Sequence, residues 1–503
     1  MSDYQLYIDG EWTEAAAGES YDTFNPGTGE KIASIAQGGT EDVDRAVAAA
    51  RRAFDEGPWP KMSGKERADV LRAIAEKLTE KGQHLAEVEA RDGGGTIKKG
   101  MLADVTTTAG TFMAMANFAE TQPEYEELPP VVLGPTPSEN YIQYEPIGVC
   151  AGITPWNFPL AMASWKIAPA IAAGNCVVLK PASITSLTAL EVAKVIDEVG
   201  VPAGVVNVIA GPGRTVGEAL AQHSGVDKVA FTGSTEVGAR IMALAAPSIK
   251  KVTLELGGKS AAIVTDDVNL DLAVAGVLWG TFWHNGQVCQ SGTRALVDEK
   301  VYDEFIDKAV EKAASIKLGD QMDFMTDQGP VVSQQQIDTI EGYVQSGQDE
   351  GAKLVCGGRR PEGEQFDNGY FYEPTIFADV DNSMKIAQEE IFGPVLSVIK
   401  TSSDDDAVKI ANDSIYGLAG AVWCRDIERA KGLAESMRTG TVWINEHHLL
   451  TPEHPFGGYK QSGIGRELGP QGFNEYRELK RIHVDESGDD PAGHLTFSML
   501  FSA

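Results

Sequence analysis

Between residues 147 and 256, short apolar runs alternate with stretches of helical periodicity. IGVCAGIT (147–154), NCVVLK (175–180), VVNVIA (205–210), KVAFTG (228–233) and KVTLEL (251–256) read as strands, and 187–199, 215–223 and 234–246 as helices. That rhythm predicts a parallel α/β sheet. A second cycle starts at Val264 and passes residue 440, with helical patterns at 270–284, 300–315, 334–350 and 404–412 between strand-like runs such as LSVIK and TVWIN. It reads as a second α/β domain.

Around these cycles the pattern is more local. YIDGEW at 7–12 places Asp9-Gly10 between strand formers and predicts a hairpin. An alanine-rich helix opens at Thr40 and stops at Gly57-Pro58, and Ser63 to Glu66 forms a capping box ahead of Val70, Leu71, Ile74 and Leu78. The stretch 122–145 and the tail after about 470, which ends in LTFSMLF, follow neither rhythm. They are expected to lie outside the cores and to make subunit contacts. The Gly357-Gly358 region and the acidic run Asp404 to Asp406 read as surface turns.

A chain of 503 residues exceeds what one core usually sustains, and 43% hydrophobic with 23% charged residues is ordinary for a soluble globular protein. The beginning, MSDYQLYIDGEW, lacks a secretory pattern and no apolar run reaches membrane length, so a cytoplasmic location is expected. The five cysteines, at 150, 176, 289, 356 and 424, are scattered without a CxxC pair, which indicates neither disulfides nor structural zinc. The formal net charge is −31, from 73 acidic and 42 basic residues spread along the whole chain. Nucleic acid would be repelled. Such an acidic coat suits a salt-rich cytosol; an ordinary acidic enzyme is the alternative.

Two positions stand out chemically. In KVTLELGGK, alternation puts Val252, Leu254 and Leu256 on one face and Thr253 and Glu255 on the other, with Glu255 at a strand's carboxyl end, where α/β proteins bind ligands. Gly257-Gly258 then allows close approach of substrate or backbone. Cys289, in WHNGQVCQSGTR, follows an apolar helical stretch that Asn285-Gly286 is expected to stop, so its thiol falls in a turn where it can be reached. A buried filler is the alternative reading for any single cysteine, and Cys150, Cys176, Cys356 and Cys424 keep that reading. GPGRTVGEA (211–219) and FTGSTEVGARI (231–241) each join a strand to a helix where backbone amides can hold phosphate, although neither is a GxGxxG.

GITPWNFPL (152–160), LKPAS (179–183), FTGST (231–235), LELGGK (254–259), GQVC (286–289), EEIFGPV (389–395) and PFGGYKQSGIGRELG (455–469) occur together in order and spacing. In these motifs the chain resembles the aldehyde dehydrogenase superfamily, from the hairpin to about residue 484. The resemblance implies a Rossmann-like cofactor domain (1–121 and 146–255), a catalytic α/β domain (256–455) and oligomerisation segments (122–145 and 470–503) that add a small β-extension and build a homodimer or homotetramer. It implies CoA-independent oxidation of a small-molecule aldehyde with NAD or NADP. Cys289 would be the nucleophile, Asn157 with the Cys289 backbone amide the oxyanion donors, Glu255 the general base, and Lys166 and Glu467 the support for proton passage. Glu255 should then titrate above a free glutamate if it is desolvated. Lys180 would contact the adenosine ribose, Gly233 and Ser234 the pyrophosphate, and Glu390 the nicotinamide ribose, with Phe392 and Trp156 packing in the same cleft. Trp165, Trp283 and Phe456 would wall an apolar tunnel, although packing alone also accounts for Trp283.

Two departures sharpen the expectation. Family members that prefer NAD often read KPSE where this chain has Lys180-Pro-Ala-Ser183, so no carboxylate would repel a 2′-phosphate; two unit charges ~4 Å apart cost roughly 1 to 4 kcal/mol. NADP should therefore be accepted, unless Ser183 merely caps the next helix. WINEHHLLTPEHPFGG (443–458) brings Glu446, His447, His448, Glu453 and His454 to the substrate mouth, where they suggest a polar, titratable lip and not a metal site, since no HExxH is present. Glu446 and Glu453 would favour an aminoaldehyde over an apolar substrate, and a semialdehyde is the other runner-up. The competing classes are a CoA-acylating enzyme, which typically lacks the base supplied here by Glu255, a non-catalytic relative, and a thiol hydrolase.

Overall fold

The computed structural model describes residues 2–131 and 138–489, together with His494, Thr496, Phe497 and Leu500. Leu495, Ser498, Met499 and Phe501 of LTFSMLF lie outside the described residues. Among these residues the strands form two large sheets and two small ones.

The larger sheet has eight strands and a parallel centre. Lys251–Glu255, Lys228–Thr232, Val149–Ile153, Cys176–Lys180 and Val206–Val208 pair in that order, each the expected apolar run. At one edge the hairpin Leu6–Ile8 and Glu11–Thr13 joins antiparallel, turning on Asp9 and Gly10 with φ of 58° and 76°. At the other edge Gly463–Ile464 pairs with Lys251–Glu255. The helices Leu187–Val199 and Thr235–Ala245 follow the predicted pattern, and Ser63 caps Gly64–Glu80 reciprocally with Glu66. Helices Gly82–Gly93, Val105–Thr121 and Pro159–Ala172 complete this layer.

The second sheet has seven strands with Ala261–Val264 beside Arg294–Asp298 and Ala419–Trp423, all parallel. Only its edge strand Lys353–Cys356 runs antiparallel. Helices Leu270–Phe282, Tyr302–Ala313, Gln334–Asp349 and Asp404–Asn412 match the sequence pattern. The acidic run Asp404 to Asp406 is not a surface turn. It forms the first helical turn, where carboxylates suit the positive end of the helix dipole, with Ser403 accepting from the Asp406 N–H and Arg429 bound to Asp404.

The two segments expected to stand apart find each other. Arg477–Val484 pairs antiparallel with Glu139–Pro146 along its whole length, and Tyr125–Glu127 completes a three-stranded sheet. The tail is not wholly outside the cores, however. Phe473, in the short helix Gly469–Asn474, and Tyr476 just after it are buried in the core of the larger sheet, and Lys251 forms an ion pair with Glu478 at 3.0 Å. Apolar side chains at the foot of the tail explain the difference, because burying them outweighs any freedom the segment would keep.

Candidate active site

A cavity of about 1050 Å³ brings most of the expected residues together. Cys289, Glu255, Asn157, Trp156, Gly233, Ser234, Glu390, Phe392, Trp165, Trp283 and Phe456 all border it. Lys166 and Glu467 do not border it, although Lys166 bonds Thr232, which does; Lys180 ends the strand Cys176–Lys180 and Ser183 follows it, neither at the cavity's border.

The turn holding Cys289 begins where the helix Leu270–Phe282 stops. His284, Asn285 and Gly286 take left-handed φ of 50°, 56° and 68°. A Cβ at Gly286 would lie 2.2 Å from the Gly393 carbonyl oxygen, so glycine is required there. The Ser291 N–H donates to the Val288 carbonyl at 3.0 Å and closes the turn. Gly258 lets this turn approach the strand end, since a Cβ there would stand 2.5 Å from the Cys289 carbonyl oxygen. Burial, then the nearby carboxyls of Glu390 and Glu255, push the Cys289 thiol up. The resting side chain is a thiol, and a base must generate the thiolate.

Glu255 is 4% exposed, and neither carboxylate oxygen has a hydrogen-bond partner among the described residues. Burial raises it well above an ordinary glutamate, with Glu467 adding to the effect and Lys166 opposing it. The expectation of a raised carboxyl therefore holds. Gly457, at φ 154°, passes so close that a Cβ would lie 2.6 Å from Glu255 Oε1. Lys166 donates to Glu467 and, at 2.7 Å, to the Thr232 hydroxyl.

Asn157 is 6% exposed and fixed on two sides. Its Nδ2 donates to the Gln287 carbonyl at 2.8 Å, leaving the second amide proton uncommitted, and its own carbonyl accepts from His284 Nε2 at 2.8 Å. Burial holds His284 well below the usual imidazole range, so the ring is neutral and Nε2 carries its proton. Neither Gln287 nor His284 was singled out by the sequence, although both lie in the stretch around GQVC whose positive-φ turn presents them.

On the dinucleotide side, Ser234 caps the helix Thr235–Ala245, its hydroxyl accepting from the Val237 N–H, and with Gly233 it borders the cavity at the positive end of the helix dipole. Glu390 accepts from the Gly258 N–H at 3.0 Å, and burial pushes its carboxyl up to about 7. Gly257 makes room, as a Cβ there would fall 2.3 Å from Glu390 Oε2. Phe392 and Trp156 meet edge to face at 5.1 Å. Lys180 is buried and donates to the Pro181 carbonyl at 2.7 Å, with burial drawing its ammonium down to about 8. Ser183 does not cap the next helix: its hydroxyl donates to the Gly211 carbonyl at 2.8 Å, while Ser186 occupies the cap position of Leu187–Val199.

The opposite wall corrects one expectation. His447 and His448 are not part of a titratable lip; both are buried in the wall. His447 Nε2 bonds the Gln290 carbonyl at 3.0 Å and His448 Nε2 the Gly280 carbonyl at 3.1 Å. Burial pushes His447 down to about 4 and His448 well below its usual value, so both are neutral near pH 7. Around them the rings of Trp279 and Trp283 meet tilted at 33° with centres 5.1 Å apart, and Trp165 meets Phe456 at 5.7 Å. Glu446 borders the cavity and accepts from the His447 N–H.

The profile of the aldehyde dehydrogenase family matches residues 12–482. The chain belongs to the aldehyde dehydrogenase family. A betaine aldehyde dehydrogenase of Bacillus subtilis (strain 168) is 47% identical over 479 residues, covering 95% of this chain and 96% of that one. The mitochondrial aldehyde dehydrogenase of Homo sapiens is 44% identical over 483 residues, covering 95% and 92%. A crystal structure of betaine aldehyde dehydrogenase from Staphylococcus aureus in complex with NAD+ superposes with a TM-score of 0.95 at 42% identity, covering 100% of this chain and 97% of that one. As an aldehyde dehydrogenase the protein oxidises aldehydes through a cysteine, and of its cysteines Cys289 alone borders the cavity.

Proposed function

We propose that the protein oxidises a small aldehyde to its carboxylate with NAD or NADP, Cys289 carrying the covalent intermediate and water acting as final nucleophile. The convergence of Cys289, Asn157 and Glu255 on one cavity carries this reading. Cys289 Sγ adds to the aldehyde carbon as its proton passes to Glu255, giving a thiohemiacetal. The free Asn157 amide proton and the Cys289 N–H stabilise the oxyanion. A bound nicotinamide dinucleotide supplies the hydride acceptor. The resulting Cys289 thioester is then attacked by water that Glu255 deprotonates, releasing the carboxylate and the thiol, while Lys166 and Glu467 hold or pass the proton.

The residues fit a dinucleotide: buried Lys180 for the adenosine ribose, Gly233 and Ser234 at a helix N-terminus for the pyrophosphate, Glu390 for the second ribose, and Trp156 with Phe392 as packing surfaces. The Staphylococcus relative binds NAD+. NADP is accepted too, because Ser183 puts no charge where the 2′-phosphate would lie. Among small aldehydes, betaine aldehyde is the first candidate. Its quaternary ammonium suits the faces of Trp165, Trp283 and Phe456, with Glu446 on the same wall and the two histidines neutral. The three-stranded sheet, with Leu479 exposed on it and Ile249 exposed nearby in sequence to Lys251, serves a homodimer or homotetramer. A cytoplasm rich in salt matches the net charge of −31.

Reduced-nicotinamide absorbance, followed with betaine aldehyde and simpler aldehydes, both cofactors, and with or without CoA, tests the proposal. Turnover without CoA is expected. A strict CoA requirement contradicts it.

A further inference from the structure

Behind the loop that carries Asn157 lies a buried charged cluster that the chemistry above leaves unused. Lys99 ends the helical turn Ile97–Lys99, and Asp104 ends the π-helical turn Gly100–Asp104 that continues it. Lys99 Nζ donates to Asp104 Oδ2 at 2.7 Å, and Glu89, on the helix Gly82–Gly93, holds Oε1 4.0 Å from the same nitrogen. The three residues are 5%, 1% and 2% exposed. Taking such charges out of water is costly, so the cluster needs a reason beyond stability.

What the cluster touches supplies one. The Lys99 ammonium stands 4.2 Å from the centre of the Phe158 ring, next in the chain to Asn157. Glu89 accepts from the Leu160 N–H at 3.3 Å and from the Thr188 hydroxyl at 2.9 Å, anchoring the first turn of the helix Pro159–Ala172. His284 meets the Phe158 ring edge to face at 5.2 Å while it donates to the Asn157 carbonyl. Gly95 makes this packing possible, as a Cβ there would sit 3.1 Å from Lys99 Cδ and 3.2 Å from His284 Cε1. Asn157 is thus held through the residue after it, the helix beyond, and its own carbonyl.

We infer that Lys99, held by Asp104 and Glu89, is a positioning residue for the Asn157 amide, its ammonium clamping the Phe158 ring and so fixing where the amide points relative to Cys289. The inference rests on Asn157 as an oxyanion donor. A cation over an aromatic face binds most strongly when both are desolvated, as here, and small misplacements of a reacting group are amplified in rate. Lys99 and Asp104 also border the cavity, so direct contact with substrate is the rival role.

The test uses steady-state kinetics on the full-length enzyme. Lys99→Met together with Asp104→Asn removes the pair and leaves the Glu89 carboxyl to the Leu160 N–H and the Thr188 hydroxyl, Lys99→Arg keeps the cation, and Phe158→Leu removes the ring. Each is made alone and in an Asn157→Ala background. The paired change and Phe158→Leu should each lower kcat by about 10- to 100-fold while KM for aldehyde and Kd for NAD stay within about twofold, and Lys99→Arg should recover most of the rate. In the Asn157→Ala background the further loss should be under about threefold, because the target of the positioning is gone. Losses that multiply in that background, or a raised KM at unchanged kcat, overturn the inference while leaving the oxyanion reading intact. An unchanged kcat in Asn157→Ala alone removes that reading, and this inference with it. Should the paired variant fail to show a cooperative melt, Phe158→Leu carries the same comparison.

Discussion

Two walls of one cavity treat buried polar groups in opposite ways. At Glu255, which borders the cavity, and at Glu467, which does not, three carboxylate oxygens have no hydrogen-bond partner among the described residues. On the facing wall, His447 and His448 each give Nε2 to a backbone carbonyl, and His448 Nδ1 also meets Gln290. An unpaired buried polar atom costs roughly 1–3 kcal/mol, so a chain keeps one where something else is to bind. The difference separates chemistry from shape: the carboxylates are poised for substrate and water, and the two histidines, neutral and hydrogen-bonded to backbone carbonyls, set the cavity's outline.

The comparison breaks most visibly at the thiol. Cys289→Ala should abolish oxidation, measured by reduced-nicotinamide absorbance, yet leave dinucleotide binding within about twofold by fluorescence titration. Asn157→Ala should lower kcat by about 10²–10³ with little change in KM, the loss expected for one oxyanion donor.

The second wall is tested by pH. His447 titrates near 4 in the folded chain against a usual 6.5, so the unfolded chain takes up its proton first as pH falls. The stability held by the neutral ring is complete above pH 6.5 and drains away toward pH 4. The advantage of the native chain over His447→Phe, read from urea melts, should therefore shrink by about 3 kcal/mol across that window. A constant gap means the ring is not held neutral. Smaller still is the cofactor effect, where Ser183→Glu should shift kcat/KM toward NAD by about tenfold or more through repulsion of the 2′-phosphate.

Much of the fold was legible because its signals are local. The Asp9-Gly10 turn, the Ser63 and Glu66 cap and the apolar strand runs depend on residues a few positions apart. Glu255 and Cys289 were legible because strand-end and turn chemistry pointed to them before the resemblance did, whereas Asn157 came from the resemblance alone. What escaped depends on partners far along the chain. His447 is buried because Gly280 and Gly292 leave it a slot, each with a would-be Cβ 2.9 Å from the ring. The tail is a strand only because Glu139–Pro146 offers an edge, from which the register Arg477 to Pro146 spans more than three hundred residues. Neither can be read from periodicity in one window.

The most direct measurement is intact and peptide mass spectrometry of Glu255→Gln mixed with aldehyde and NAD. Glu255 serves both proton transfers, so its removal slows thiolate formation as well as hydrolysis; the enzyme that does react cannot be hydrolysed, and an acyl adduct should build up slowly on the peptide carrying Cys289 and be absent from the other cysteine peptides. Continued aldehyde oxidation with no adduct at Cys289, in this variant or in the native chain after rapid quenching, contradicts the account.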